Sequence, residues 1–336
     1  MKAYELHPHE GFDALTIVER KTKDLSPHDV RVRVRAVSLN FRDLVVARGA
    51  QKLKSPIVPA SDGAGEVVAV GSAVTRVRAG DKVAASFFPT WIDGELSAEH
   101  HAAALGAGQS DGMLAEEVVL PEHSWVKTPE HLSFEQAATL PCAGVTAYNA
   151  LFEAARLRAG DTVLVQGTGG VSIYALQLAK AAGARVVVTS QSAEKRAKAR
   201  ALGADHVIDY KETPAWGEAV HAWTGGRGVD VAVEVGGPGT FDQSVASLRY
   251  GGTVSLLGVL TGTKGEVNTY AIFHKAIRVA GVYVGSVGMF EGLNRAVAAS
   301  TIQPVVDRSF AFDEAKAAYA HLASAKHFGK VVIRVS

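Results

Sequence analysis

Residues 163 to 195 read VLVQGTGGVSIYALQLAKAAGARVVVTSQSAEK, and this stretch decides the fold of the chain. It has the pattern of an apolar strand, a glycine turn, a helix that begins near residue 171 and a second apolar strand. Glycine suits such a turn because it adopts positive φ and, without a Cβ, lets a phosphate approach the backbone. The free N–H groups at the start of the helix would then face a pyrophosphate. The pattern therefore predicts a dinucleotide site whose pyrophosphate is bound by Gly167, Thr168, Gly169, Gly170, Val171 and Ser172.

The residues that follow the second strand predict which dinucleotide is bound. An NAD site usually has an aspartate or glutamate there, which bonds the ribose hydroxyls. Residues 189 to 196 read TSQSAEKR instead, with no charge before Glu194. Ser190, Ser192 and Lys195 can hydrogen-bond a 2′-phosphate, which a carboxylate would repel. Ser192 can also cap the next helix while Lys195 is simply solvated, and both interpretations are compatible. The missing acid therefore predicts NADP(H).

The composition excludes several classes of partner. The 336 residues are 47% hydrophobic and 21% charged, with a formal net charge of +1, which argues against nucleic acid or an anionic membrane. Cys142 is the only cysteine, so no internal disulfide can form and a reducing compartment fits. No signal-peptide or membrane-helix pattern is present. We expect a cytoplasmic protein whose ligand is a small molecule, with neither nucleic acid nor membrane as partner.

The middle of the chain has the rhythm of an α/β doubly wound parallel sheet, the Rossmann fold. Its strand-like runs are continuous in Val, Ile and Leu, as expected when helices cover both faces of a sheet. Helical patterns between the first five runs begin near 171, 193, 214 and 239. The strand-like runs lie at 162–166, 185–190, 205–210, 229–235, 252–259 and 276–285.

The two ends of the chain have a different pattern. DVRVRVRAVSLN, residues 29 to 40, alternates apolar and polar residues, which is typical of a half-buried antiparallel strand. The segment 87–112 is long and irregular, and its Phe87, Phe88 and Trp91 form either an apolar lid or ordinary core. From about 286 the pattern predicts one helix and two strands, which return to the sheet of the first domain.

Seven segments, in order, resemble the medium-chain dehydrogenase/reductase superfamily, in particular its zinc-free quinone oxidoreductase and enoyl reductase branch. The resemblance implies a GroES-like β-rich catalytic domain (1–128 and 286–336), a Rossmann NADP(H)-binding domain (129–285) and a cleft between them where nicotinamide meets substrate. It also implies a homodimer through the edge strand near 276–285. The segments are SLNFRDL (38–44), PASDGAGEVVAVG (59–71), GDKV (80–83), LPCAGVTAY (140–148), GTGGVSIYALQLAKAAGA (167–184), LGADHVIDY (202–210) and HFGKVVIRV (327–335).

The resemblance also implies roles for individual residues. Ser190, Lys195 and Tyr210 match positions that surround the adenosine 2′-phosphate. Asn40 and Lys330 match positions near the cofactor. The positions that match the lining of the nicotinamide half are Thr146, Gly236, Gly258, Tyr283, Val284 and Gly285.

No zinc site is expected. Zinc-dependent relatives have a cysteine, a His-Glu pair and a second cysteine where this chain has Asn40, Ser61-Asp62 and Cys142. Catalytic zinc needs about three nitrogen, sulfur or carboxylate ligands, and one soft ligand is left. His100 and His101 are adjacent, an arrangement more typical of solvated than of metal-bound histidines.

Without zinc, the easier chemistry is hydride transfer to a carbon that is already electrophilic. A quinone, or an alkene conjugated to a carbonyl, disperses the incoming charge onto oxygen. Asn40 could orient a carbonyl; Asp43 is a weak candidate proton donor beside water, because Phe41 stands where several relatives have a tyrosine. The alternatives are a zinc-free alcohol or aldehyde dehydrogenase of the same superfamily and a non-catalytic NADPH-binding protein.

Overall fold

The structure is a computed structural model that describes residues 1–8, 10–49, 56–108 and 110–335. The chain forms two compact units: the first unit is Met1–Val145 with Val284–Ser336, and the second unit is Thr146–Tyr283. The strands are β1 (Lys2–Glu5), β2 (Thr16–Glu19), β3 (Asp29–Leu39), β4 (Asp62–Val70), β5 (Lys82–Ala85), β6 (Glu117–Pro121), β7 (Trp125–Lys127), β8 (Thr162–Gln166), β9 (Arg185–Thr189), β10 (His206–Ile208), β11 (Val229–Glu234), β12 (Leu248–Leu256), β13 (Arg278–Gly281), β14 (Val306–Phe310) and β15 (Lys330–Arg334). The α-helices are α1 (Phe41–Ala47), α2 (Ala98–Ala102), α3 (Phe134–Ala137), α4 (Val145–Tyr148), α5 (Gly170–Ala181), α6 (Ala193–Ala201), α7 (Trp216–Trp223), α8 (Pro238–Ser247), α9 (Thr269–His274), α10 (Val287–Ala299) and α11 (Ala315–Ala323).

The second unit is built on a six-stranded parallel sheet in the order β10-β9-β8-β11-β12-β13. Every residue of β8 and of β11 is buried, which explains why these strands read as continuous apolar runs. The order confirms the predicted doubly wound sheet. Since the chain winds outward in both directions from β8 and β11, the carboxyl ends of these two strands flank the switch point where such sheets bind ligands.

The first unit is built around β3, which pairs with β4, β6 and β15 in one seven-stranded sheet. Val30, Val32 and Val34 of β3 are fully buried, and the arginines between them are not, as the alternating pattern predicts. The pairing of Val331 in β15 with Leu39 in β3 confirms that the C-terminal segment returns to this sheet.

Two details of the sequence-based description differ from the structure. The C-terminal segment contains α11 in addition to the one predicted helix, because Ala315, Ala318, Tyr319 and Leu322 form a buried stripe at helical spacing. The boundary between the units falls after Val145 rather than near 128, because α3 packs against strands β3 and β4 of the first unit.

The aromatic residues of the segment 87–112 belong to the core of the first unit. Phe87 and Phe88 are buried and their rings meet edge to face at 4.6 Å, while Trp91 packs on Phe88 at 5.8 Å. These contacts favour the core interpretation over a lid. Gln109 of this segment lies outside the described residues. No helix in the described part of the chain is long and apolar enough to span a membrane.

Candidate cofactor and catalytic site

The glycine turn lies between β8 and α5 and has the geometry that a pyrophosphate needs. Gly167 has φ of +67°, and a Cβ added at Gly167 or at Gly169 would meet no atom within 4 Å. Gly169 is the N-cap of the 12-residue helix α5, and no side chain caps the N–H groups of the first turn. Open space and uncapped N–H groups at the positive end of a helix dipole fit a bound phosphate.

Ser172 occupies the position where a dinucleotide-binding turn usually has its third glycine. Its hydroxyl is buried and donates to the carbonyl oxygen of Gln166, the last residue of β8, at 2.7 Å. Serine is small enough for the helix to approach the strand, and this hydrogen bond ties the two together. The pattern GTGGVS therefore keeps the close strand–helix packing that the third glycine normally allows.

The loop after β9 carries the residues predicted to bind a 2′-phosphate. Ser190 is buried, and its hydroxyl accepts a hydrogen bond from the backbone N–H of Ser192 at 3.3 Å. The hydroxyl of Ser192 in turn accepts from the N–H of Lys195 at 3.3 Å, so the predicted cap of α6 is confirmed. Lys195 lies in the first turn of α6, and the hydrogen bond from its backbone N–H to Ser192 ties it to this loop.

Arg196 joins this loop and was missed by sequence reasoning. Its guanidinium donates to the carbonyl oxygen of Ser190 at 2.7 Å and to Asp209 at 2.6 Å. The backbone N–H of Lys211, together with this guanidinium, lowers the pKa of Asp209. Tyr210, the third predicted 2′-phosphate residue, follows Asp209 directly, and partial burial raises its pKa. The signal in the sequence was the pair of adjacent basic residues at 195 and 196.

The turn after β11 carries one of the residues predicted to line the nicotinamide half. The N–H of Gly236 donates to Glu234 at 2.7 Å. A Cβ at Gly258 would lie 2.0 Å from the carbonyl oxygen of Val235, so only glycine lets these two segments pack this closely. Thr146 in α4 is buried and Tyr283 is half-exposed. The roles of these residues toward a nicotinamide stay predictions.

Val284 and Gly285 open the C-terminal part of the first unit. Val284 has φ of +54°, a conformation that is unusual for a β-branched residue. A Cβ at Gly285 would lie 2.7 Å from the side chain of Val145. The backbone at this junction is therefore closely constrained, and its predicted contact with the cofactor stays a prediction.

A buried chain of polar side chains lies in the first unit. Lys330, the first residue of β15, donates to the carbonyl oxygen of Leu39 at 2.7 Å and to the side-chain oxygen of Asn40. The amide nitrogen of Asn40 donates to the hydroxyl of Ser61 at 3.4 Å, and that hydroxyl donates to Asp62 at 2.7 Å. An ammonium group can only donate, so Lys330 fixes the Asn40 amide with its oxygen toward the lysine.

Asp43 supports this chain from the first turn of α1. Its carboxylate accepts a hydrogen bond from the backbone N–H of Asn40 at 2.7 Å and so caps the helix. The other carboxylate oxygen is buried and has no hydrogen-bond partner among the described residues. Burial raises the pKa of Asp43 to about 6, against the opposing charge of Arg42. Asp43 therefore has a clear capping contact, and its role as proton donor stays a prediction.

The residues at the positions that hold zinc in zinc-dependent relatives do not fit a catalytic zinc. Asp62 accepts a hydrogen bond from the backbone N–H of Cys142 at 3.0 Å, and burial raises the pKa of the Cys142 thiol. Burial raises the pKa of Asp62, and the neighbouring charge of Lys330 opposes that rise. Across the described ranges, no three His, Cys, Asp or Glu side chains converge as a metal site would require.

The two adjacent histidines have other contacts. The ring of His100 accepts a hydrogen bond from the N–H of Ser97 at 3.2 Å and stacks on Trp91 with ring centroids 6.3 Å apart. The ring of His101 packs against Phe88 at 6.2 Å. The imidazole of His100 thus accepts a hydrogen bond at the N-terminus of α2, and both imidazoles pack on aromatic rings.

The chain is similar to family models, to curated proteins and to solved structures. A family model for the alcohol dehydrogenase GroES-like domain matches residues 26–130, and one for the zinc-binding dehydrogenases matches residues 170–299. A zinc-type alcohol dehydrogenase-like protein of Schizosaccharomyces pombe is 42% identical, with 99% of each chain covered. A quinone oxidoreductase of Pseudomonas aeruginosa is 30% identical, again with 99% of each chain covered. The crystal structure of an NAD-dependent alcohol dehydrogenase is 31% identical, covers 100% of both chains and has a TM-score of 0.91.

Proposed function

Because the chain belongs to the medium-chain dehydrogenase/reductase superfamily, we propose that it is an NADPH-dependent oxidoreductase that works without catalytic zinc. Its substrate in this proposal is a quinone or an alkene conjugated to a carbonyl. The observation that carries the proposal is the hydrogen-bonded chain Lys330–Asn40–Ser61–Asp62. It engages Asn40, Ser61 and Asp62, the side chains at the positions that hold zinc in zinc-dependent relatives. Of these three side chains, only that of Asp62 is of a type that commonly binds catalytic zinc.

The preference for NADPH is supported by the residues after β9. Thr189 ends the strand, and Ser190, Gln191 and Ser192 follow it, so no carboxylate stands where it would bond an adenosine ribose. Lys195 and Arg196 add positive charge to the same loop, which favours a 2′-phosphate. One similar alcohol dehydrogenase is NAD-dependent, so the preference rests on this chain's own residues.

The protein's own contribution to the reaction is positioning and hydrogen bonding. Bound NADPH supplies the hydride. The turn from Gly167 to Ser172 holds the pyrophosphate, with backbone N–H groups at the start of α5. Negative charge then develops on the substrate's carbonyl oxygen, and a donor aimed at that oxygen stabilises the transition state.

Asn40 is the donor that this proposal assigns to the developing charge. Lys330 holds the amide oxygen, so the amide nitrogen is left to donate, and one of its two protons goes to Ser61. A charge-assisted hydrogen bond to the amide oxygen draws electron density from the nitrogen and makes its N–H groups stronger donors. Asp43 holds the backbone of Asn40, and solvent water supplies the proton that completes the reduction.

The substrate class is supported by chemistry and by one relative. Conjugated acceptors need no metal to polarise them, since the incoming charge moves to an oxygen several bonds away. The quinone oxidoreductase of Pseudomonas aeruginosa has this kind of substrate in its name. A panel of quinones, enones, enoyl thioesters and aldehydes, with NADPH oxidation followed by absorbance at 340 nm, tests the proposal. Turnover of aldehydes alone would favour the zinc-free alcohol dehydrogenase, and NADPH binding without turnover would favour a non-catalytic role.

A further inference from the structure

We propose that Glu234 and Gln166 form a buried clamp that joins two turns at the switch point of the parallel sheet and so positions NADPH. The inference rests on the proposed function and assigns a positioning role to two residues outside the predicted site. Glu234 ends β11 and Gln166 ends β8, and the two strands are hydrogen-bonded neighbours in parallel. The clamp therefore lies under the edge of the sheet where a dinucleotide binds.

One oxygen of the Glu234 carboxylate holds the turn that follows β11. It accepts hydrogen bonds from the N–H of Gly236 at 2.7 Å, the N–H of Gly237 at 2.9 Å and the hydroxyl of Thr240 at 2.6 Å. Three donors on one carboxylate oxygen fix the backbone of the turn and the first turn of α8. Gly236, one of the residues predicted to line the nicotinamide half, is therefore held directly by Glu234.

The other oxygen of Glu234 connects this turn to the glycine turn. It accepts from the side-chain amide of Gln166 at 2.5 Å and from the hydroxyl of Ser244 in α8. The amide oxygen of Gln166 accepts from the N–H groups of Val235 and Gly236, each at 3.3 Å. The carbonyl oxygen of Gln166 accepts from Ser172 in α5. One pair of side chains thus links the predicted pyrophosphate turn with the turn after β11.

The surroundings of Glu234 indicate that the Glu234–Gln166 pair does more than stabilise the fold. Glu234 is fully buried, and no described lysine, arginine or histidine forms an ion pair with it. Burying a carboxylate costs free energy, and the donors that offset this cost belong to the two turns and to α8 rather than to a cationic side chain. At the opposite end of β11, the buried Asp230 is paired with Arg227 and Arg249. The buried carboxylate with no ion pair among the described residues is thus the one that holds the predicted cofactor turns.

The test uses the full-length Glu234→Gln variant, which keeps the side-chain volume but replaces one acceptor with a donor. We expect the Kd for NADPH, measured by calorimetry, to rise by at least about tenfold, since the loss of buried hydrogen bonds of this kind costs roughly that factor. The Kd for adenosine 2′,5′-bisphosphate, which has no nicotinamide half, should rise by less than about threefold. General destabilisation would weaken both ligands alike, so the ratio of the two changes isolates positioning.

Two further variants complete the experiment. Asp230→Asn removes a buried carboxylate from the other end of the same strand, and it should lower Tm while leaving the Kd for NADPH within about twofold. The exchange Gln166→Glu with Glu234→Gln restores one carboxylate facing one amide, with every neighbouring donor still satisfied. We expect this double variant to recover NADPH affinity to within about threefold of the unmodified protein, by the logic of a double-mutant cycle.

The measurements distinguish failure of the proposed function from failure of the clamp alone. If the unmodified protein binds no NADPH, the proposed function fails and this inference fails with it. If the unmodified protein binds NADPH but Glu234→Gln binds it equally tightly, or loses both ligands in the same proportion, only the clamp is refuted. If Glu234→Gln does not fold, the exchange variant decides: it must fold and bind NADPH, and a folded exchange variant without affinity would overturn the inference.

Discussion

The ammonium group of Lys330 donates a hydrogen bond to the side-chain oxygen of Asn40, and the two residues are only 3% and 8% exposed. They are 290 positions apart in the chain and meet because β15 pairs antiparallel with β3, where Val331 is opposite Leu39. A buried lysine whose nearest acceptors are a backbone carbonyl and an amide is costly to retain for stability alone. We therefore infer that Lys330 serves to orient the side chain of Asn40.

Replacing Lys330 by methionine should therefore impair catalysis through Asn40. We expect kcat to fall by about 10²-fold, the size of the effect of losing a donor to a developing oxyanion. Asn40→Ala should have a similar effect, and the double variant should be little worse than either single one, because the two residues act as a unit. Steady-state kinetics with a quinone that the unmodified protein reduces would measure all three.

Arg334→Met is the matched control for Lys330→Met, since it removes a cation from the same strand. Its side chain is 61% exposed and lies 3.6 Å from Glu135, an ion pair of the kind that contributes little. It should leave kcat within about twofold. Additive losses in the Lys330 and Asn40 variants would contradict the shared role.

The second prediction concerns the choice of NADPH over NADH. Arg196→Ala and Lys195→Ala should each raise the Kd for NADPH several-fold while leaving the Kd for NADH nearly unchanged, because only NADPH carries the 2′-phosphate. Arg200 lies one helical turn further along α6 and serves as the control: Arg200→Ala should affect neither ligand. Quenching of tryptophan fluorescence during titration provides the measurement. Equal losses for both coenzymes would remove the 2′-phosphate assignment.

The third prediction is that the titration of Asp43 makes the stability of the protein depend on pH. Burial raises its pKa to about 6 in the folded protein, above the value of 3.8 for a free aspartate. The folded state therefore binds a proton more tightly than the unfolded state, and stability falls as pH rises from about 4 to about 6. The shift of about two pKa units corresponds to at most about 3 kcal/mol.

Asp43→Asn should remove this dependence while its side-chain oxygen still accepts from the N–H of Asn40. The free energy of unfolding of the unmodified protein, relative to that of the variant, should therefore drop between pH 4 and pH 7. Burial also raises the pKa of Asp62. The charges of the two carboxylates interact, so the difference between the two proteins includes the coupling of Asp43 with Asp62. Urea unfolding at four pH values in this range would measure the difference; parallel curves would show that Asp43 does not titrate there.

The fourth prediction concerns assembly, and here we propose a symmetric dimer. β13 forms one edge of the six-stranded sheet of the second unit, and edge strands are templates for pairing. Tyr250, Tyr270 and Phe273 of the same unit are each more than half exposed, a cluster of aromatic surface that is unusual for a monomer. Light scattering after gel filtration should give twice the chain mass of 35.2 kDa. Val279→Pro in β13 should shift the mass to that of a monomer, and a monomer of the unmodified protein at all concentrations would refute the dimer.

The pattern of the sequence predicted the local structure of the second unit well, for physical reasons. Continuous apolar runs marked the buried parallel strands, and the glycines marked the turn that opens α5. The serine at 192 marked the start of α6 because a hydroxyl at that position satisfies a free N–H group. In the first unit, the alternation in β3 gave its buried face directly.

What could not be predicted depends on contacts between distant segments. The meeting of Asn40 with Lys330, and of Gln166 with Glu234, follows from the order and register of strands, which no local pattern contains. α11 was missed because two of its four buried residues are alanine, which gives a weak hydrophobic stripe. The position of the boundary at Val145 depends on what α3 packs against, and that again is a tertiary contact.

The most direct test of the central claim is the rate of NADPH oxidation with a quinone or enone, before and after removal of metals. Protein treated with a strong zinc chelator, and shown by elemental analysis to lack stoichiometric zinc, should keep its kcat within about twofold. The reason is that the Asn40 amide, oriented by Lys330, rather than a metal stabilises the charge on the substrate oxygen. Loss of activity on chelation, with recovery when zinc is added back, would contradict the account.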